Sequence, residues 1–240
     1  MKPQFIRTAR LIGEEAVNAL ETKNVCIFGI GGVGSFTAEA LCRAGIGALT
    51  LIDGDAVAES NLNRQLIALH STIGQPKVDV MKARMADINP DARVTALHMF
   101  YDESTADQLD LAQFDYVVDA IDSVPSKIAL IKRCRALNVP LISCMGTGNK
   151  LDPSKLVITD ISKTNVCPLA RVVRRELRKC GIAHHTVLYS TEPPHKPLFE
   201  DENGRSSPAS IAFVPSVAGL MIAGYVVRAL AAPYRPKNEE

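Results

Sequence analysis

The stretch from Asn24 to Asp53 constrains this chain more than any other. Val25, Ile27 and Phe28 form a short apolar run, and Gly29, Gly31, Gly32 and Gly34 follow at once. An apolar run of that length suits a strand buried on both faces. A strand that turns sharply into a helix needs backbone without side chains. The same bare turn lets phosphate approach the unpaired N–H groups at the helix start. Val33 to Ala44 reads as that helix, closed by Gly45. Leu49 to Ile52 is the next strand, and Asp53 stands at its tip. An acid about 20 residues past the glycines is where a ribose hydroxyl is held. The stretch is a nucleotide-binding βαβ unit, and its glycine turn suits NAD as well as ATP.

The rest of the chain extends this pattern. Arg93 to Leu97, Asp115 to Asp119, Pro140 to Cys144 and Lys155 to Thr159 read as strands. Between them, Val78, Met81, Met85 and Ile88 repeat at helical spacing after Pro76. Ser123 to Asn138 reads as a helix with Leu130, Cys134 and Leu137 inward. Strand–helix alternation to about residue 160 predicts a Rossmann-like α/β fold: a mostly parallel central sheet, helices on both faces, and a C-terminal mixed extension. The expected organisation is one domain over 1–240. Its nucleotide-binding core is 1–160, and 161–240 supplies a crossover, a substrate side and a C-terminal helix.

Several segments carry charge or its absence in an informative way. Arg7 to Leu20 reads as one helix, with Arg7 and Arg10 near a start where the helix dipole disfavours cations. They are either solvated or await an anion. In Pro168 to Cys180, Arg171, Arg174, Arg175 and Arg178 fall on one helical face. From Lys163 to Lys179 there are six basic residues against the single acid Glu176. The stripe reads as a solvated face or as an RNA contact. Pro193 to Pro208 is polar, with an Asn203-Gly204 turn that suits a hairpin. His184-His185 has no metal spacing and reads as loop. Ile211 to Val227 is uncharged and falls just short of a comfortable bilayer span, so a buried helix or a dimer face is expected there. The charged tail from Pro233 is expected to fray.

Over 240 residues the net charge is only +1, so no global field points to nucleic acid or membrane. The six cysteines include no Cys-x-x-Cys pair. Met1 to Arg10 lacks the apolar core of a secretory signal. Reduced cysteines, a cytoplasmic location and no structural zinc are expected.

There is no Gly-x-x-x-x-Gly-Lys-Ser/Thr loop, which excludes a P-loop NTPase. Asn61, Arg64, Lys77 and Asp122 instead separate ATP from NAD, because hydride transfer needs none of them. Arg64 is a natural phosphate fork. Lys77, at the cation-averse end of its helix, becomes useful beside a triphosphate. Asp122 suits magnesium, which takes one or two carboxylates plus phosphate oxygens; Asp119 is read as positioning backbone. The combination predicts carboxylate attack on the α-phosphorus, giving an acyl-adenylate and pyrophosphate.

Gly29-x-Gly-Gly-x-Gly34, Asp53-x-Asp55, Asn61-x-Asn-Arg-Gln65, Gly74-x-Pro-Lys77 and Asp122 resemble the ATP site of the ubiquitin-activating-type adenylating enzymes. The resemblance spans roughly residues 7–145. It implies ATP and Mg2+ as cofactors, Asp53 on ribose, Arg64 and Lys77 on phosphates, and Asp122 on the metal. Gly29, Gly31, Gly32, Gly34, Asp55, Asn61 and Gln65 complete the implied nucleotide site. It also implies a homodimer in which Arg10, within Thr8-Ala-Arg10-Leu11, is lent to the partner's triphosphate. Asp119-Ala-Ile-Asp122-Ser123, Asp160-Ile-Ser-Lys-Thr164 with Pro168-Leu169, and Tyr189-Ser-Thr-Glu192 are similar to the branch that dehydrates threonylcarbamoyladenosine in tRNA. That likeness implies a tRNA partner, with the arginine stripe holding its backbone, and adenylation followed by ring closure with loss of AMP. A sulfur-relay protein is a further candidate partner. Cys144, Cys167 and Cys180 are each candidates for a nucleophile or for packing. Activation of a Gly-Gly carrier protein and a non-catalytic nucleotide-bound scaffold are the alternative readings.

Overall fold

The computed structural model describes residues 1–199 and 208–234. Its strands are β1 (Asn24–Phe28), β2 (Ala48–Ile52), β3 (Arg93–Leu97), β4 (Tyr116–Asp119), β5 (Leu141–Cys144), β6 (Leu156–Asp160) and β7 (Thr186–Ser190). They form one sheet in the order β3-β2-β1-β4-β5-β7-β6. All neighbours run parallel except β6 and β7, which are antiparallel. Side chains of β1 alternate between two cores, as strand geometry requires. Val25 and Ile27 pack with α3 (Gly34–Ala44), α4 (Lys77–Ile88) and α7 (Phe213–Ala231). Cys26 and Phe28 face Tyr101, Leu130 and Cys134, the last two from α5 (Val124–Ala136). A third cluster joins Ile131 of α5 to Val173 and Leu177 of α6 (Pro168–Lys179).

Register fixes where the chain leaves the sheet. Phe28 lies opposite Ile52 on one side and Asp119 on the other. Gly29, Asp53 and Ala120 therefore emerge level at one edge. β1 leads outward to β2 and β3, and β4 then starts the other half. The edge between β1 and β4 is the switch point at which open α/β sheets bind ligands.

Three expectations need correction, and the expected buried helix near the C-terminus is present. The helix read over Arg7 to Leu20 is two, α1 (Ile6–Ile12) and α2 (Glu14–Leu20), broken at Gly13 with φ 93°. Arg10 thus sits in the last turn of α1, where the dipole favours a cation, while Arg7, exposed in the first turn, stays at the disfavoured end. Leu137 follows the last turn of α5 and is exposed rather than inward. β7 was not foreseen, and it lies between β5 and β6 instead of beyond them. The apolar run near the C-terminus forms a 19-residue helix, α7, long and apolar enough by composition to cross a membrane. It packs on α3 instead: Val214, Ala218, Ile222 and Val226 are buried, and Thr37 Oγ1 donates to the Gly219 carbonyl at 3.1 Å. A Cβ at Gly219 would stand 2.4 Å from the Val33 carbonyl oxygen, so the two helices meet backbone to backbone. The Asn203-Gly204 turn lies outside the described residues, as does the tail beyond Tyr234.

Candidate nucleotide site

The glycine turn is built by close approach. Gly29 has φ 85°, and a Cβ there would meet the Ala120 carbonyl oxygen at 2.6 Å. A Cβ on Gly34 would fall 1.7 Å from the Gly29 carbonyl oxygen. Any side chain at either position would force β1 away from β4 or α3 away from the turn. Asp53 locks the same turn from the next strand. Its Oδ2 accepts from Ile30 N–H at 2.6 Å and its Oδ1 from Asp55 N–H at 2.8 Å. The N–H groups of Gly31, Gly32 and Val33 have no partner among the described residues, and all three residues line a cavity of about 450 Å³. They stand at the N-terminus of α3, a ready anion site.

The cavity gathers most of the residues singled out from sequence. Gly29, Gly31, Gly32, Asp53, Asp55, Arg64, Gln65, Lys77 and Asp122 all line it. Lys77 is buried at the first position of α4, and its Nζ meets Asp55 Oδ2 at 2.7 Å. That carboxylate, more than half exposed, offsets the unfavourable end of the helix dipole. Arg64 is half-buried, and its Nη1 donates to the Ser60 carbonyl and to Asn63 Oδ1, both at 2.9 Å. Asp122 is exposed on the rim.

Gly34 and Asn61 do not reach the cavity. Asn61 is buried, and its Oδ1 accepts from Ala58 N–H at 3.1 Å, so it shapes the loop carrying Arg64. Arg10 is exposed on α1 and is absent from this cavity in the single chain. The reading of Asp119 as a backbone positioner holds for one atom: its Oδ1 accepts from Ile121 N–H at 3.0 Å. The same oxygen takes Lys127 Nζ at 2.9 Å, and both side chains are fully buried. Lys127 went unnoticed in the sequence, although a lysine eight residues past a strand-end aspartate can reach back one helical turn.

Other wall residues were also missed. Phe28, Ile52, Met99, Tyr101 and Ile121 give the cavity an apolar side. Tyr101 packs edge-on to Phe28 with ring centroids 4.7 Å apart. The run Met99-Phe-Tyr101 follows β3 at the ligand-binding edge, and that was the available signal. Two polar atoms in the wall, Gln65 Oε1 and Tyr101 OH, are buried without partners among the described residues. Buried polar groups are ordinarily satisfied, so an apolar floor with orphan polar atoms and open N–H groups fits a nucleotide. Asp122, on the rim of the same cavity, fits one of the one or two carboxylates that Mg2+ takes beside a triphosphate.

The arginine stripe divides. Arg174 Nη1 donates to the Thr164 carbonyl at 2.8 Å and to Thr164 Oγ1, and so anchors α6. Arg175 pairs with Glu176 at 2.9 Å. Arg171 and Arg178 are exposed. Of the candidate cysteines, Cys144 is fully buried, and burial pushes its thiol up to about 12, against a nucleophilic role. Cys167 caps α6, its Sγ accepting from Ala170 N–H, and Cys180 is exposed. His184 and His185 lie in the loop before β7, as read, and His185 Nε2 lies 2.8 Å from Ser143 Oγ of β5.

Comparison with known proteins agrees with this geometry. The model of the ThiF family matches residues 5–240. The chain is 49% identical over 239 residues to the tRNA threonylcarbamoyladenosine dehydratase of Bacillus subtilis, covering 95% of this chain and 94% of that one. It is 45% identical over 177 residues to the dehydratase of Escherichia coli, covering 74% and 66%. The crystal structure of the E. coli tRNA N6-threonylcarbamoyladenosine dehydratase with AMP superposes with a TM-score of 0.88 at 36% identity, covering 96% and 94%. The same enzyme with ATP gives 0.84 at 38% identity, covering 96% of both chains. With a glycine turn, a level strand edge and a matching model that runs almost from end to end, the chain belongs to the ThiF family.

Proposed function

We propose that this chain is an ATP-dependent tRNA threonylcarbamoyladenosine dehydratase, working in the cytoplasm. The carboxylate of the threonylcarbamoyl group attacks the α-phosphorus of ATP and pyrophosphate leaves. A nucleophilic atom of the neighbouring carbamoyl group then attacks the acyl carbon, AMP carries away the former carboxylate oxygen, and one proton is released. The net change in the nucleoside is loss of water. The second step is intramolecular, so positioning alone can supply much of its rate and no protein thiol is required. The observation that carries this reading is the convergence of Arg64, buried Lys77 and Asp122 on the cavity into which the glycine-turn N–H groups open.

In this reading Asp53 takes the ribose, and the N–H groups of Gly31 to Val33 take phosphate oxygens. Lys77 turns from Asp55 toward the triphosphate, with Arg64 beside it, and together they spread the charge that develops during attack. Asp122 would hold Mg2+, and the chemistry that ion would supply is neutralisation of phosphate charge. Arg171 and Arg178 are the tRNA backbone contacts, and Arg174 acts by fixing α6. A homodimer places Arg10 of one copy at the triphosphate of the other, which suits an exposed arginine outside its own cavity.

ATP–pyrophosphate exchange tests the reading. Exchange should require tRNA carrying threonylcarbamoyladenosine, and exchange driven by a Gly-Gly carrier protein instead would overturn it. For the dimer, Arg10→Ala and Asp122→Ala proteins are mixed after proven subunit exchange. One working site should return per mixed dimer; no recovery would remove Arg10 from the partner's site.

A further inference from the structure

A second cavity of about 460 Å³ adjoins the first and shares Val33, Ala120, Ile121, Asp122 and Thr147 with it. Its far wall is Met145, Cys167, Leu169 and Lys150. Lys150 is only 4% exposed. The other buried lysines, Lys77 and Lys127, each hold a carboxylate. Lys150 Nζ donates to a neutral group, the Glu192 carbonyl, and has no ion pair among the described residues. The Glu192 carboxylate is engaged elsewhere. It accepts from Leu151 N–H and Asp152 N–H, each at 3.0 Å, and lies 2.8 Å from His195 Nε2. Burial pulls the Lys150 ammonium below the ordinary lysine range, against the opposing pull of Cys167 and Glu192. A buried cation without a resident anion is costly. It stands here beside a chamber that shares Val33, Ala120 and Asp122 with the proposed nucleotide site, with two of its three N–H donors to spare among the described residues.

We infer that Lys150 receives the substrate's carboxyl group: its ammonium holds one carboxylate oxygen while the other attacks the α-phosphorus. The inference rests on the function proposed above. Once the adenylate has formed, the held oxygen is the acyl carbonyl oxygen. Negative charge grows on it as the carbamoyl group attacks the acyl carbon, and a fixed ammonium stabilises that charge more than it stabilises the ground state. The second cavity thereby selects a carboxylate-bearing adenosine over an unmodified one.

The test compares tRNA carrying threonylcarbamoyladenosine with the same tRNA after its threonyl carboxylate has been converted to the amide. Binding of each is measured with a non-hydrolysable ATP analogue present, in the wild type, Lys150→Met and Lys150→Gln. Glutamine keeps a donor for the Glu192 carbonyl and removes the charge, so it guards against loss of fold. The wild type should bind the acid about tenfold to a hundredfold more tightly than the amide, the range of a charged hydrogen bond. Both variants should lose that preference while keeping Tm and affinity for the ATP analogue. AMP formation should fall at least about tenfold. Variants that keep the preference would overturn the assignment. So would a parallel loss of Tm and nucleotide affinity, which would make Lys150 a brace for the 192 segment. A wild type that forms AMP yet binds acid and amide alike would overturn the Lys150 role alone. A wild type that forms no AMP from the modified tRNA would overturn the functional reading and this assignment together.

Discussion

The two halves of the sheet build their share of the site differently. On the β1–β2 side, the glycine turn and Asp53 leave the strand ends directly, and Arg64 and Lys77 follow in the segment that runs from β2 into α4. Asp53 fastens the glycine turn, and Lys77 and Asp55 are joined through both side chain and backbone. On the β5–β7–β6 side, the groups come from connecting loops and are held by side chains distant in sequence. Glu192 fixes the turn at Leu151 and Asp152, and His185 ties the start of β7 to Ser143. The first half is a phosphate cradle that any member of the fold could use. In the inference drawn above, the second half receives the substrate's carboxylate through Lys150.

The buried pair Asp119–Lys127 sits between the halves, and breaking it should have the largest effect. Lys127→Met leaves a fully buried carboxylate without its cation, and the expected loss of stability is about 3–5 kcal/mol. Denaturant unfolding measures it. A loss under about 1 kcal/mol would mean that the halves do not depend on this joint.

Lys77→Ala probes the cradle. AMP formation should fall roughly 10²–10³-fold, as on removal of one donor from a developing charge. Binding of tRNA should persist, because in the proposed site Lys77 serves the nucleotide and not the RNA. Unchanged turnover would remove its phosphate role.

His185 probes the other half. Burial pushes its imidazole down to about 4, with Lys127 and Arg135 acting in the same direction and Asp119 and Asp160 opposing. The unfolded chain therefore binds the proton more readily than the folded one. The stabilisation is complete above about pH 6.5 and is lost as pH falls toward 4, by on the order of 3 kcal/mol. His185→Gln should flatten stability across that window, and an unchanged slope there would show that His185 is not the group responsible.

The smallest effects belong to the surface of α6. Arg171→Ala and Arg178→Ala should each weaken tRNA binding uniformly and lower the salt slope by about 1. Arg174→Ala should instead cost stability through its lost Thr164 bonds. Equal salt effects at all three positions would restore the undivided stripe.

The same contrast explains what the sequence made legible. The glycine turn, its helix and the acid at the tip of β2 are local, and sterics at Gly29 and Gly34 admit few other residues. The likeness to adenylating enzymes rested on these together with Asn61-x-Asn-Arg-Gln65, Gly74-x-Pro-Lys77 and Asp122. β7 was hidden because Thr186–Ser190 is short, carries no alternation and takes its place only through pairing with β5 and β6. Lys127 and Lys150 were hidden because a lysine in sequence reads as surface; only the packing of α5 and of the 192 segment buries them. The break at Gly13 shows the converse. One positive φ turned an arginine read at a helix start into one at a helix end.

The most direct test of the central claim follows the nucleoside itself. Purified protein is incubated with ATP, Mg2+ and tRNA carrying threonylcarbamoyladenosine, and the tRNA is digested for mass spectrometry. The modified nucleoside should lose the mass of one water, with one AMP appearing for each nucleoside converted. An unchanged nucleoside alongside active protein, or a dehydrated one formed without ATP, would contradict the account.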